Sequence, residues 1–170
     1  MIKKLTLRKT ILDDALLIRK WRNEQINILR QNSKVKIQDQ LNYFKKIYLP
    51  NLKKRKPNQV LYTILENNTR IGYGGIVHID WTKKVGEMSF VIDPKKNFKK
   101  KILFKFFLTN IKKISKRNLK IKKIIIETFS FRYKHLRLVE QFGFKKYKIE
   151  KKKIKINGRY FNSIHHYLKL

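Results

Sequence analysis

Between Gly86 and Phe107 the chain reads GEMSFVIDPKKNFKKKILFKFF, a strand that passes through a lysine-loaded turn into a helix. This handover commits the middle of the chain to an architecture that mixes strands and helices. It also carries a chemical implication. The start of a helix offers unpaired backbone N–H groups and the positive end of the helix dipole, both of which attract anions. Lysines placed there add charge to an anion-attracting point, so a negatively charged ligand is expected at the junction.

The rest of the chain falls into short periodic segments. LTLRKT alternates as a strand, and DDALLIRKWRN has acidic caps followed by Leu16, Leu17 and Trp21 at helical spacing. A second helix is expected from about Ile37 to Tyr48, with Ile37, Leu41, Phe44 and Tyr48 on one stripe. LPNLKKRKPN, bounded by Pro50 and Pro57, reads as a basic loop. QVLYTILE, RIGYGGIVHID and VGEMSFVID then form an antiparallel meander with NNT and WTKK as turns. From Lys99 to about Arg117, Leu103, Phe107, Ile111 and Ile114 mark a long amphipathic helix. KKIIIETF is a short strand of buried type, and RYKHLRLVEQF is a helix with Gly143 as its C-cap. FKKYKIEKKKIKI and RYFNSIHHYLKL make a hairpin around Asn157-Gly158. The order is β-α-α-β-β-β-α-β-α-β-β, an α/β (α+β) fold in one domain over residues 1–170, with about seven strands and about four helices.

Composition narrows the chemistry. The chain has no Cys, which removes disulfides, thiolate catalysis and Cys-based zinc sites, and its four His show no metal-ligand spacing, so no metal is expected. No segment approaches the roughly 18 apolar residues of a membrane span, and MIKKLTLRKTILDD reaches acidic residues before any long apolar run, so a cytoplasmic protein is expected. The net charge of +33 points to an anionic partner. Part of that charge is compositional: Lys, Ile and Asn crowd a chain with one Ala and 6 Gly, as an A/T-rich coding sequence would produce. That bias does not explain why Asp and Glu together number only 11. The lysines are spread over every segment, so nucleic acid is expected only as weak, non-specific binding.

The element order, with GEMSFVIDP leading into a basic turn and helix and RLVEQFGF closing the next helix, resembles the GNAT acetyl-CoA-dependent N-acetyltransferases over nearly the whole chain. WRN at Trp21 to Asn23, with QLNYFKK downstream, is similar to the branch that acetylates amino groups on nucleotide-linked sugars. INGRYFNSIHHYLK is similar to the end of ribosomal-protein N-terminal acetyltransferases. The resemblance implies a GNAT-like domain with a mixed central sheet, in which the strand Glu87 to Ile92 splays from its neighbour. The pantetheine arm of acetyl-CoA would pair with backbone groups at Phe90, Val91 and Ile92. The pyrophosphate would sit on the helix start formed by Asn97, Phe98, Lys99, Lys100, Lys101 and Ile102. Two departures stand out. Phe98 to Lys105 holds no glycine, where the family turn is rich in Arg and Gly, and Arg132 and Val139 replace the family's Asn and Tyr. That Tyr often protonates the departing thiolate.

Acetyl transfer to an amine requires a neutral nitrogen, a polarised thioester carbonyl and a proton for the thiolate. The resemblance gives Glu87 the role of base, directly or through water; as a residue of an alternating strand it also reads as an ordinary solvent-side group. Backbone N–H near Val91 would polarise the carbonyl. Tyr133 and His135, at the start of the next helix, either donate a proton, hydrogen-bond the pantetheine, or serve packing and surface roles. Glu127 is either a second carboxylate near the acceptor or a partner for a lysine. Trp21 belongs to the core by its spacing with Leu17. Arg22 and Asn23 suit the acceptor side, because Arg forks onto phosphate and Asn both donates and accepts.

The expected function is therefore an N-acetyltransferase using acetyl-CoA, a monomer or homodimer, with an amino sugar on a nucleotide carrier as first acceptor and a protein N-terminus or other amine as second. The reading from a different class is a non-catalytic basic module that binds acyl-CoA or RNA. The glycine-less turn and the missing Tyr support that module, and the intact GEMSFVIDP strand supports the enzyme.

Overall fold

The computed structural model describes residues 4–170, so Met1, Ile2 and Lys3 of the expected domain and of the basic N-terminus lie outside the described residues. The elements follow in the order β1 (Leu5–Lys9), α1 (Ala15–Glu24), α2 (Ile37–Tyr43), α3 (Leu49–Leu52), β2 (Val60–Glu66), β3 (Thr69–Asp80), β4 (Val85–Ile92), α4 (Lys100–Arg117), β5 (Lys123–Phe129), α5 (Tyr133–Gln141), β6 (Lys145–Ile156) and β7 (Arg159–Lys169). This is the expected order with one change: a wide π-helical turn, Phe44–Tyr48, joins α2 to α3. Pro50 lies in the first turn of α3, where its missing N–H costs little, so part of the expected basic loop is helical.

The sheet has 7 strands in the order β1-β2-β3-β4-β5-β7-β6. β1 to β4 are antiparallel neighbours, and β5, β7 and β6 are likewise antiparallel. One parallel seam joins the two groups: β4 meets β5 at Val85↔Lys123, Gly86↔Ile124 and Glu87↔Ile125. The chain crosses between these strands through α4, as a parallel pair requires. Turn chemistry follows the sequence. Asn67 and Asn68 have φ of 48° and 66°, Asn157 and Gly158 have 46° and 80°, and Gly143 ends α5 at 88°.

Apolar side chains fill both faces of the sheet. On one, α4 buries Leu103, Phe104, Phe107, Leu108 and Ile111 against strand residues such as Ile76, Met88 and Ile124. Ile114, expected on that stripe, packs at its margin. On the other face Ala15, Ile18, Trp21, Phe44 and Tyr48 pack on Leu61, Tyr73 and Val91. Each fully buried side chain of this size contributes about 1.5–3 kcal/mol relative to exposure. Leu16 and Ile37, read as core-facing, are exposed, because α1 turns Ala15 and Ile18 inward and α2 packs through its C-terminal end. The Asp14 side chain caps the turn that leads into α1, accepting from the Ile11 N–H at 3.0 Å, and does not cap α1 itself. It is a buried carboxylate held by both guanidinium nitrogens of Arg8 at 2.8 Å and by Thr63 at 2.8 Å, and these contacts outweigh its burial and lower its pKa.

Candidate active site

Beyond Glu87 and Ile125 the parallel seam opens, and β4 and β5 diverge into a V. A cleft of about 390 Å³ fills it, lined by Ser89, Phe90 and Val91 of β4, Ile126 to Phe129 of β5, and Phe104 and His135 from the helices behind. The expected splay of β4 is present. Two buried polar atoms in its walls, Thr128 Oγ1 and His135 Nδ1, have no hydrogen-bond partner. Unpaired buried polar groups are costly, so the walls suit an occupant that carries its own donors and acceptors, as the amides of a pantetheine arm do.

Two carboxylates stand at the vertex of the V. Glu87 is at the last rung of the seam, and Glu127 lies two residues past the rung on β5. Both side chains are only 11% exposed, so Glu87 is not a solvent-side residue. Arg30, in the connection between α1 and α2, forks across them, with one nitrogen donating to Glu87 Oε1 and another to Glu127 Oε2. Ser163 of β7 donates to the other oxygen of Glu127, whose charged partner is thus an arginine and not a lysine. The second oxygen of Glu87 lies 3.1 Å from His78 Nδ1. His78 sits at an irregularity in the β3–β4 ladder with φ of 49°, and that bulge turns its ring towards Glu87. Neither Arg30 nor His78 had a signal in the sequence: one is a loop residue, the other an ordinary strand position.

The acidic vertex continues outwards. Glu150 of β6 and His165 of β7 stand beside Glu127, with ligating atoms within 4.8 Å of one another. Among the described residues these groups are spaced to hold a metal ion, but Arg30 already pairs with Glu127, and Lys148 and Lys153 pair with Glu150 at 2.6 Å each.

The lysine turn before α4 divides its charges. Asp93 caps it by accepting from the Lys95 N–H at 2.9 Å. Lys96 and Lys99 both bind Glu66 at the end of β2, at 3.0 and 2.6 Å, and their hydrogen bonds pull that carboxyl down to about 2. Asn97, Phe98, Lys101 and Ile102 are exposed around the helix start. Lys100 is different. It is half-buried, and burial, followed by the nearby Arg132 charge, pushes its ammonium down to about 8. Arg132 is itself pushed down to about 10 by burial, and it donates to the Ile28 carbonyl at 3.0 Å. No carboxylate among the described residues pairs with either cation.

The expected proton donors are separated. Tyr133 is exposed at the start of α5, away from the cleft lining, whereas His135 is buried in it, edge-on to Phe104. Burial first, then the charges of Arg132 and Lys100, push His135 down to about 2, so its imidazole is neutral at physiological pH. On the opposite side a second chamber of about 420 Å³ lies under α1 and α2 and meets the first along Arg22, Tyr43, Tyr73 and Ser89. Arg22 faces both, donating to Gln31 at 2.9 Å and to the Tyr73 hydroxyl at 3.4 Å. Asn23 is occupied: its amide brackets Val35 through backbone N–H and carbonyl at 2.9 and 3.0 Å and also accepts from Gln31. Trp21 is buried, as its spacing implies.

This arrangement, a sheet opened at one parallel seam with a carboxylate at the vertex and a basic helix start beside it, agrees with a comparison against protein families. The profile of the acetyltransferase (GNAT) domain matches residues 7–165, and the chain belongs to that family. By class it is an acetyl-CoA-dependent N-acetyltransferase. No curated protein sequence matches it. Among solved structures it is similar to mutant forms of the spermidine/spermine N-acetyltransferase SpeG from Vibrio cholerae, with a TM-score of 0.80 and 18% identity over 97% of this chain and 93% of that one. It is also similar to SpeG from the same organism in a dodecameric form (TM-score 0.76, 19% identity, 97% and 93% covered) and in complex with manganese ions (TM-score 0.77, 18% identity, 98% and 92% covered). At such identities the likeness shows a shared fold. No helix among the described residues is long and apolar enough to cross a membrane.

Proposed function

We propose that this protein acetylates a primary amine on a small, multiply charged cation of the polyamine type, with Glu87 as the base. One observation carries the reading. In a chain with 44 basic and only 11 acidic residues, Glu87 and Glu127 line the vertex of the cleft, with Glu150 beside Glu127. A linear acceptor with several ammonium groups would exchange for the cations these carboxylates hold, Arg30 on Glu87 and Glu127 and Lys148 and Lys153 on Glu150, and the similar solved structures are of spermidine N-acetyltransferases. The nucleotide-sugar alternative leans on Arg22 and Asn23, and the Asn23 amide is already engaged with Val35 and Gln31.

Within this reading Glu87 takes the ammonium proton and His78, open to water, passes it on. The backbone of Phe90 and the Ile92 N–H, which face the gap, order the coenzyme arm and polarise its carbonyl, whereas Val91 faces Tyr73 in the β3 ladder and the Ile92 carbonyl accepts from Gln25 at 2.9 Å. Lys100 and Arg132 receive the phosphates without help from glycine. Asn97, Phe98, Lys101 and Ile102 border that phosphate site, while Lys99 anchors the turn to Glu66. The neutral His135 is a hydrogen-bonding wall of the arm's channel. Neither it nor the exposed Tyr133 acts as a charged acid, and the thiolate takes its proton from water.

The test is thiol release from acetyl-CoA with three acceptors: spermidine, a nucleotide-linked amino sugar and a peptide with a ribosomal-protein N-terminus. Spermidine should be the substrate with the highest kcat/KM. Turnover of the sugar or the peptide without turnover of spermidine refutes the proposal, and coenzyme binding without any turnover favours the non-catalytic module.

A further inference from the structure

We infer that Arg30 is an internal stand-in for the acceptor, a guanidinium that occupies the seat of the acceptor's ammonium between Glu87 and Glu127 and leaves only in exchange for another cation. The inference rests on the cationic-acceptor reading above.

The geometry leaves no carboxylate oxygen of Glu87 free. Arg30 holds Oε1 and His78 stands at Oε2. A base must reach the proton it removes, so a group on Glu87 has to withdraw before an amine can bind there. His78 is the more open of the two but reaches Glu87 alone, whereas Arg30 fills the space between both carboxylates, so Arg30 is the group an incoming ammonium must displace. Its side chain is 39% exposed, against 11% for each carboxylate, so the cation reaches in from water while the anions are fixed in strands. Its backbone is tied on both sides: Arg132 donates to the Ile28 carbonyl, and the Asn23 amide brackets Val35. The exchange is therefore a swing of one side chain over a fixed loop.

Electrostatics decides what can take its place. When the guanidinium leaves, two nearly buried like charges face each other, which favours protonation of one and removes the base. A neutral amine offers no compensating charge. A monoamine supplies one, but once Glu87 has passed the proton on through His78 the two charged carboxylates again face each other with no cation between them. An acceptor with a second ammonium keeps one charge on Glu127 while its reacting nitrogen deprotonates at Glu87. Arg30 thus sets a threshold that admits diamines and longer polyamines and rejects isolated amines.

Calorimetric titration of the full chain with spermidine, without coenzyme, reads this directly. If the guanidinium is in place for all but about a tenth of the time, it weakens apparent spermidine affinity about tenfold. Arg30→Gln should therefore bind spermidine about tenfold more tightly than the parent at low salt, and Arg30→Gln/Glu127→Gln should lose the gain. Arg30→Lys keeps a charge but cannot fork across two carboxylates, so it should fall between parent and Gln variant, and it supports the comparison if the Gln variant folds poorly. Equal or weaker binding by both single variants overturns the inference. If spermidine is acetylated by the parent yet neither variant binds it more tightly, the stand-in role fails and the acceptor reading survives. If the variants bind it more tightly but none acetylates it, the exchange stands and the acceptor reading fails.

Discussion

Coenzyme affinity should fall as pH rises through 8, and Lys100 should be the cause. Free, its ammonium titrates near 8, because it is half-buried beside Arg132 with no carboxylate for company. Phosphate oxygens placed against it restore the charged form and lift its pKa back towards the ordinary lysine value, about 10.4. Binding above pH 8 then requires uptake of a proton. At pH 7 about nine-tenths of the free protein carries the charge and at pH 9 about one-tenth does, so the Kd for acetyl-CoA should rise about tenfold over that interval. The pyrophosphate diester has no proton that titrates in this interval, and a phosphate monoester, with a second pKa of about 6, is already about nine-tenths ionised at pH 7. Calorimetry at pH 7, 8 and 9 in low salt measures the slope. Lys100→Arg keeps its charge over the whole range and should give a flat profile near the parent's pH 7 affinity. Lys100→Gln should be flat and weak. A parent whose affinity does not change between pH 7 and 9, or a Gln variant that keeps the slope, refutes this account of the glycine-less turn. The stability of the uncomplexed protein should move the other way. The unfolded chain holds the Lys100 proton to a higher pH than the folded one, so this group makes stability rise with pH above 8.

Glu87→Gln should lower kcat about 10²-fold or more and leave coenzyme affinity unchanged, with the deficit shrinking at high pH, where the amine needs a base less; a near-normal rate from pH 6 to 9 would remove Glu87 from the mechanism. His135, held near 2 when folded, takes a proton below about pH 6.5 only in the unfolded chain, so stability is lost as pH falls from there, by at most about 1.4 kcal/mol per unit. Urea titrations at pH 7 and 5 should show a smaller loss for His135→Gln than for the parent, and equal losses would show that this group does not drive the change.

Most of the fold was legible because it rests on local chemistry. The turns at Asn67-Asn68 and Asn157-Gly158 and the cap at Gly143 are written in residues that tolerate positive φ, and the α4 stripe lies in its 3.6 period. Errors arose where tertiary packing chooses between equivalent apolar neighbours: Leu16 faces water because Ala15 and Ile18 fit the sheet. The site was less legible. Glu87 was reached through a family pattern and Glu127 from its place at the end of a buried strand, but their partners Arg30 and His78 come from a loop and a bulge, and no periodicity links residues 30, 78, 87 and 127. The lysine turn was visible as a cluster expected to face phosphates, but Lys99 is tied with Lys96 to Glu66, and which lysines pair there depends on the position of β2, distant in sequence.

The parallel seam has a consequence for folding. β2 to β4 close through neighbouring hairpins, and β6–β7 is a hairpin of its own, so two parts of the sheet assemble from contacts close in sequence. The three rungs from Val85↔Lys123 to Glu87↔Ile125 connect residues separated by the whole of α4, and their loop must close before they form. With three rungs, against 5 between β1 and β2 and 7 between β5 and β7, the seam is the shortest pairing in the sheet and should be the first to part. In native-state hydrogen exchange the amides along it should open below the free energy of global unfolding, while those of the β2–β3 ladder exchange only when the whole molecule unfolds. The same short seam that leaves room for a coenzyme also makes the catalytic vertex the least cooperative joint of the sheet.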